Sequence, residues 1–397
     1  MEILISKKIS TINPSPTLSI DEKVKTLKAA GENVIGFGAG QPDFDTPDYV
    51  KEAAIKAIRD GFTKYTPASG TPELKKAICK KLERDNGLSY KPSQIVVSNG
   101  AKQALVNAFS AICNPGDEVL IPAPYWVSYP EMIKLADGTP VVVPGSNGFK
   151  VTVSDLEAAL TENTKAFILN SPNNPTGLIY TEDEIRALAE FAVRRGLYVI
   201  SDEIYEKLIY DGEKHISIAS FGDEIKKRTI IVNGLSKSHS MTGWRIGFTA
   251  ADEKITKAMS NMQSHASSNP NSIAQMAALA AYEGNDDFTK MMCVEFLKRR
   301  NYMVEKINSI DGVSADMPNG AFYVMMDISK LFGKDFYGKV ITNSDEFCEK
   351  LLEVAKVGLV PGSGFAAEGY TRLSYATSME NIVEGLDRIE KFIKHEF

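Results

Sequence analysis

The stretch TIIVNGLSKSHSMTGWRIGF, residues 229–248, opens as a continuous apolar run and ends among small residues and cations. A strand buried on both faces of a parallel sheet reads in this unbroken way. Lys237 stands just past the end of that run, and Arg245 follows eight residues later. The same form recurs upstream: QIVVSNG (94–100), DEVLIPAPYW (117–126), TKAFILNSPNNPTG (164–177) and LYVISDEIY (197–205) each pass from apolar to polar.

Between these runs lie helical signals. TPDYVKEAAIKAIRDG (46–61) suggests Thr46 as cap, Pro47 in the first turn and Gly61 as stop; TPELKKAICKKLERDNG (71–87) repeats the logic. Ala104, Leu105, Ala108, Phe109 and Ile112 fall at helical spacing after Gly100. Capping boxes are expected at Ser154–Glu157 and Thr181–Glu184. Strands alternating with helices imply an α/β fold with a mostly parallel central sheet flanked by helices. After about residue 285 the rhythm changes to a long helix (288–310), two strands (321–329 and 370–378) and a closing helix, a smaller α+β domain. The expected division is an N-terminal segment 1–47 on the small domain, a large domain 48–285 and a small domain 286–397.

Bulk properties exclude several classes. The 397 residues carry a net charge of -6, which argues against a nucleic-acid surface. Cys79, Cys113, Cys293 and Cys348 form no CxxC pair, and the four histidines show no ligand spacing, so buried free thiols and no metal are expected. The N-terminus has an acid at position 2 and only a short apolar run, unlike a signal peptide, and no stretch has the length of a membrane span. The expectation is a cytoplasmic protein.

Ligands of open parallel sheets bind beyond the carboxyl ends of the strands. There the sequence offers Gly100, Ala101 and Lys102 at a helix start, Asn174, Asp202 with Tyr205, and Ser236 with Lys237. Each alone is an ordinary cap, turn or loop residue; together they make an anion site with an amine, an acid, a phenol and an amide. A desolvated lysine among cations attacks carbonyls. Arg245 and a helix N-terminus suit a phosphate, Trp126 offers a flat face, and an acid can protonate a ring nitrogen. These demands describe pyridoxal phosphate.

SPNNPTG (171–177), SDEIYE (201–206), SKSHSMTGWRIG (236–247) and RLSYATS (372–378) resemble the signature segments of class I aminotransferases, nearest the bacterial aspartate aminotransferase branch. The resemblance runs from GAGQPDFDTP (38–47) to the last helix. It implies the fold type I architecture of pyridoxal-phosphate enzymes and a homodimer with shared active sites. It makes Lys237 the lysine that forms an imine with the cofactor, Asp202 the partner of the ring nitrogen, and Tyr205 and Asn174 the partners of the ring hydroxyl. Trp126 takes the stacking position. Gly100, Ala101, Lys102, Ser236 and Arg245 form the phosphate cup, which Tyr65 enters from the neighbouring subunit. Ser236 departs from the small residue many members carry there. Arg372 grips the substrate α-carboxylate, with Gly40, Trp126 and Asn174 near the substrate and Lys102 for a distal carboxylate.

The implied reaction is ping-pong transfer of an amino group between an L-amino acid, first choice aspartate, and a 2-oxo acid, first choice 2-oxoglutarate. Aromatic or prephenate transamination and a lyase on the same scaffold are the alternatives. Asn13 lies in a stretch that approaches the substrate in this branch; being neutral, it argues against a second anion meeting a cation there. A nicotinamide dehydrogenase is disfavoured, because Pro42 closes the glycine-rich VIGFGAGQPDF (34–44) and no helix follows. A DNA-binding ligand sensor is disfavoured because the resemblance leaves no room for a basic module.

Overall fold

Alternating burial organises the large sheet. In Thr164–Asn170, Ala166 and Ile168 enter one apolar core while Phe167 and Leu169 enter another. Both faces are therefore covered, which is why the sequence shows unbroken apolar runs rather than alternation. The computed structural model describes residues 5–14 and 16–397.

Seven strands form this sheet: Ile95–Asn99 (β1), Glu118–Ala123 (β2), Thr139–Pro144 (β3), Thr164–Asn170 (β4), Tyr198–Asp202 (β5), Thr229–Gly234 (β6) and Ile246–Ala250 (β7). Their spatial order is β1-β7-β6-β5-β4-β2-β3. β2 through β6 pair in parallel, and β7 runs antiparallel to both neighbours, β6 and β1. β1 thus points the same way as β6. β7 and β3 have no counterpart in the sequence reading. IGFTA follows directly on a loop signature, and its Gly247 weakens the strand signal.

A second core joins the helices Asp287–Asn308, Ser344–Ala355 and Met379–Ile393 to a four-stranded antiparallel sheet containing Tyr323–Asp327 and Tyr370–Ser374. Ile35–Gly36 pairs in parallel with Val357–Gly358, and Ile20 and Val24 pack with Val34 and Leu352.

Two caps differ from the sequence expectation. Pro47, not Thr46, is the N-cap of Asp48–Arg59, because the Thr46 hydroxyl is engaged elsewhere: it donates to Ser240 O and accepts from Trp244 Nε1. The capping box of Val153–Ala159 is Thr152–Asp155, since Thr152 has the extended backbone a cap requires and Ser154 lies inside the helix. The Thr181–Glu184 box forms as read. All four cysteines are free; only Cys348 is buried, and the other three are half-buried rather than buried as expected. Among the described residues no helix is long and apolar enough to cross a membrane.

A buried charge cluster lies beneath β5. The Glu203 carboxylate accepts from Ser201 Oγ and Ser217 Oγ and lies 3.1 Å from His215 Nε2. Glu206 pairs with Lys81. The Glu203, Glu206 and His215 ligand atoms lie within 4.8 Å of one another, but Lys81 already neutralises Glu206. Burial disfavours charge on His215, yet Glu203 and Glu206 outweigh burial and Lys81 and hold its pKa above the ordinary value. A raised folded-state pKa contributes stability that is fully present below the unfolded value of about 6.5 and is lost as pH rises through the folded one. The Tm gap between wild type and His215→Gln should therefore be widest near pH ~6 and narrow on the alkaline side. A gap constant with pH would contradict this balance.

Candidate active site

Strand direction assembles the site. β1, β4, β5 and β6 all point the same way, so Asn99, Asn170, Asp202 and Gly234 end at one edge. Lys237 follows β6 there. β7 runs the other way, so its start lies at that same edge and carries Arg245, which immediately precedes it.

A cavity of ≈ 670 Å³ opens at this edge. Ala101, Lys102, Trp126, Asn174, Asp202 and Tyr205 line it, as do Gly40, Ser236, Lys237, Arg245 and Arg372. Gly100 adjoins it beneath Arg245. Its φ is +83°, and a methyl group on it would overlap the Arg245 guanidinium. A methyl on Gly247 would collide with the Ala101 backbone, so two glycines let β7 and the helix Gly100–Ile112 meet closely. Arg245 is fixed by donating to Thr242 O (2.9 Å) and Asn99 O (3.3 Å). Tyr65 is not brought to the cavity of its own chain; it is 91% exposed. Asn13 is also elsewhere, donating its backbone N–H and side-chain amide to Glu131.

The second core contributes Arg372 from Tyr370–Ser374. This arginine is 2% exposed and donates to Asn174 Oδ1 and Gly38 O, both at 2.9 Å. Its guanidinium stacks 4.3 Å from the Tyr323 ring, and its Nε has no hydrogen-bond partner among the described residues. Tyr323 Oη is 2.9 Å from Tyr205 Oη. Lys102 Nζ lies 4.9 Å over the Trp126 ring and 3.4 Å from Ser128 Oγ.

Six cations and one carboxylate line the cavity, so the site suits anions. Burial first, then Arg245, Arg372 and Lys102, lower the Lys237 pKa to about 8, against the opposing pull of Asp202. Its Nζ donates to Gly40 O. Asp202 is pushed the other way, to about 6, chiefly by burial. Asn170 orders two neighbours: its amide donates to Asp202 O, and its carbonyl accepts from Asn174 N.

Sequence reasoning missed Tyr129, Asn170, Tyr323, Lys25 and Lys28. Asn170 was legible as a polar strand end, and Tyr129 as a residue one helical turn from Trp126. Tyr323 reads as core, because it arrives from the second sheet, and the N-terminal lysines read as an ordinary exposed face.

Residues 32–389 match the family described as aminotransferase class I and II. The chain belongs to this family. It is 50% identical to the aspartate aminotransferase of Geobacillus stearothermophilus, over 98% of this chain and 99% of that one. A probable aspartate/prephenate aminotransferase of Aquifex aeolicus is 48% identical, over 98% of each chain. Among solved structures, the aspartate aminotransferase of Rhizobium meliloti superposes with a TM-score of 0.96 at 43% identity, covering 99% of each chain. That of Thermus thermophilus with maleate gives 0.93 at 41%, covering 98% of this chain and 100% of that one.

The protein is thus an aminotransferase of a pyridoxal-phosphate-dependent family. The residues present fit that cofactor: a helix N-terminus and Arg245 for a dianion, an amine of lowered pKa, a buried carboxylate, and a phenol beside an amide. In cofactor-free protein, limiting acetic anhydride should label Lys237 ahead of surface lysines, with half-maximal reactivity near pH 8. Reactivity rising only near the ordinary lysine pKa of about 10.4 would contradict the electrostatics described.

Proposed function

We propose that the enzyme transfers the amino group of L-aspartate to 2-oxoglutarate, with pyridoxal phosphate held through Lys237 in a homodimer. The observation that carries this reading is Lys237, its amine lowered to about 8, in one cavity with Arg245, Asp202 and Arg372. The cofactor, when bound, supplies an aldehyde for the amino group and a ring that accepts the electron pair left at the α-carbon.

In this reading Gly100, Ala101 and Lys102 present helix N–H groups to the phosphate, with Ser236 and Arg245 closing the cup. Trp126 covers the ring face. Asp202 holds the ring-nitrogen proton, and Tyr205 and Asn174 hydrogen-bond the ring hydroxyl. Arg372, preset by Asn174 and Gly38, binds the α-carboxylate as a planar fork, close to Gly40 and Trp126. Lys237 Nζ, unprotonated in appreciable fraction at neutral pH, takes the α-proton and returns it, acting as base and then acid. Lys102 meets the distal carboxylate of a dicarboxylic substrate. Tyr65, exposed in a single chain, serves the cup of a second copy.

Support for aspartate comes from the relatives' names and from the Thermus structure with maleate, a dicarboxylate. The four free cysteines fit a reducing cytoplasm. We take residues 48–285 as the cofactor-binding domain and 286–397, with 1–47 packed on it, as the small domain.

The test is a panel of amino donors with 2-oxoglutarate, scored by glutamate formation, with prephenate run separately as acceptor for aspartate and scored by oxaloacetate formation. Aspartate should lead; a monocarboxylic or aromatic donor leading would overturn the substrate assignment. Lys237→Ala should abolish turnover, and wild-type turnover in that variant would refute the mechanism. Arg372→Lys should raise KM for donor and acceptor by about 100-fold, the scale of a lost bidentate charged contact. Lys102→Ala should raise KM about tenfold for aspartate but little for alanine, as expected for one charge-assisted contact. An equal effect on both donors would remove Lys102 from the distal subsite.

A further inference from the structure

Asp202 is 3% exposed, and burial is the main influence on it, working against its charge. One side chain counters that burial by direct hydrogen bonding. Tyr129 Oη donates to Asp202 Oδ2 at 2.8 Å. Among the described residues, Oδ1 accepts only from a backbone group, Ile204 N–H, at 3.2 Å. The other titratable groups that act on this carboxylate are Glu203, Tyr205 and Lys237.

Tyr129 is built to hold this position. It is 1% exposed, in the first turn of the helix Tyr129–Leu135, and packs in the core that also takes Ile168 and Ile200. Its ring meets Trp126 edge to face, at 5.5 Å and 89°. Burial and the neighbouring carboxylate push its pKa well above the ordinary tyrosine value, so the hydroxyl remains a donor throughout the working pH range. Buried side chains of this size do not turn freely in a close-packed core.

We propose that Tyr129 is a positioning residue for transamination: its hydroxyl keeps Asp202 anionic and oriented toward the ring nitrogen of the cofactor. This rests on the assignment of Lys237 and Asp202 to that cofactor. A carboxylate that accepts a hydrogen bond has lower proton affinity. Without the donor, the proton shared with the ring nitrogen shifts toward Asp202, and the ring accepts the α-carbon electron pair less readily.

The test uses holoenzyme carrying cofactor labelled with 15N in the ring, and reads the pH at which the ring-nitrogen signal is half-way between its protonated and free values. In Tyr129→Phe that half-point should fall, and kcat should drop about tenfold with KM nearly unchanged, the scale of one hydrogen bond to a charged group. 3-Fluorotyrosine placed at position 129 alone is a stronger donor of the same shape. It should move the half-point upward, and it decides the matter if the phenylalanine variant does not fold. A lower Tm with an unmoved half-point would mean a purely structural tyrosine and would overturn the proposal. Wild-type protein that takes up no cofactor and shows no visible absorbance would instead refute the parent assignment.

Discussion

The site depends on disfavouring charge on Lys237, a half-buried amine in the cavity wall. Burial does most of the work in lowering that amine, and the neighbouring cations add to it. A lysine of ordinary pKa would be a fixed charge at neutral pH and could neither attack a carbonyl nor accept a proton. In the function proposed, the same cations that depress it also attract the anionic groups of cofactor and substrate. One electrostatic arrangement thus serves binding and proton transfer together.

That arrangement follows from chain direction. β1, β4, β5 and β6 all end at one edge, and the reversal of β7 returns Arg245 to it. Two glycines make the junction possible, since any side chain at Gly100 or Gly247 would displace Arg245 or the helix start. The second core closes the cavity by adding Arg372 and Tyr323, so both halves of the fold contribute to its lining.

Much of this was legible in the sequence for a physical reason. A parallel sheet puts chemistry where apolar runs end, so Asn174, Asp202 and Lys237 could be read as one group. Arg372 and Tyr65 came from the resemblance, because nothing in local periodicity says where a second sheet or another subunit docks. Tyr129 escaped notice because a tyrosine in a helix reads as core, which it is, and its polar end shows only in three dimensions. Thr46 and Ser154 were misread as caps because several nearby residues could serve, and tertiary contacts chose among them. β7 was hidden because its first residues, Ile246 and Gly247, belong to a signature read for its chemistry rather than for its backbone.

The central claim is that Lys237 is the amine that takes the cofactor. Borohydride reduction of holoenzyme, followed by peptide mass mapping, tests it most directly. A stable phosphopyridoxyl adduct should form on Lys237 and on no other lysine. An adduct on Lys102, Lys25 or Lys28, or none at all in coloured enzyme, would contradict it.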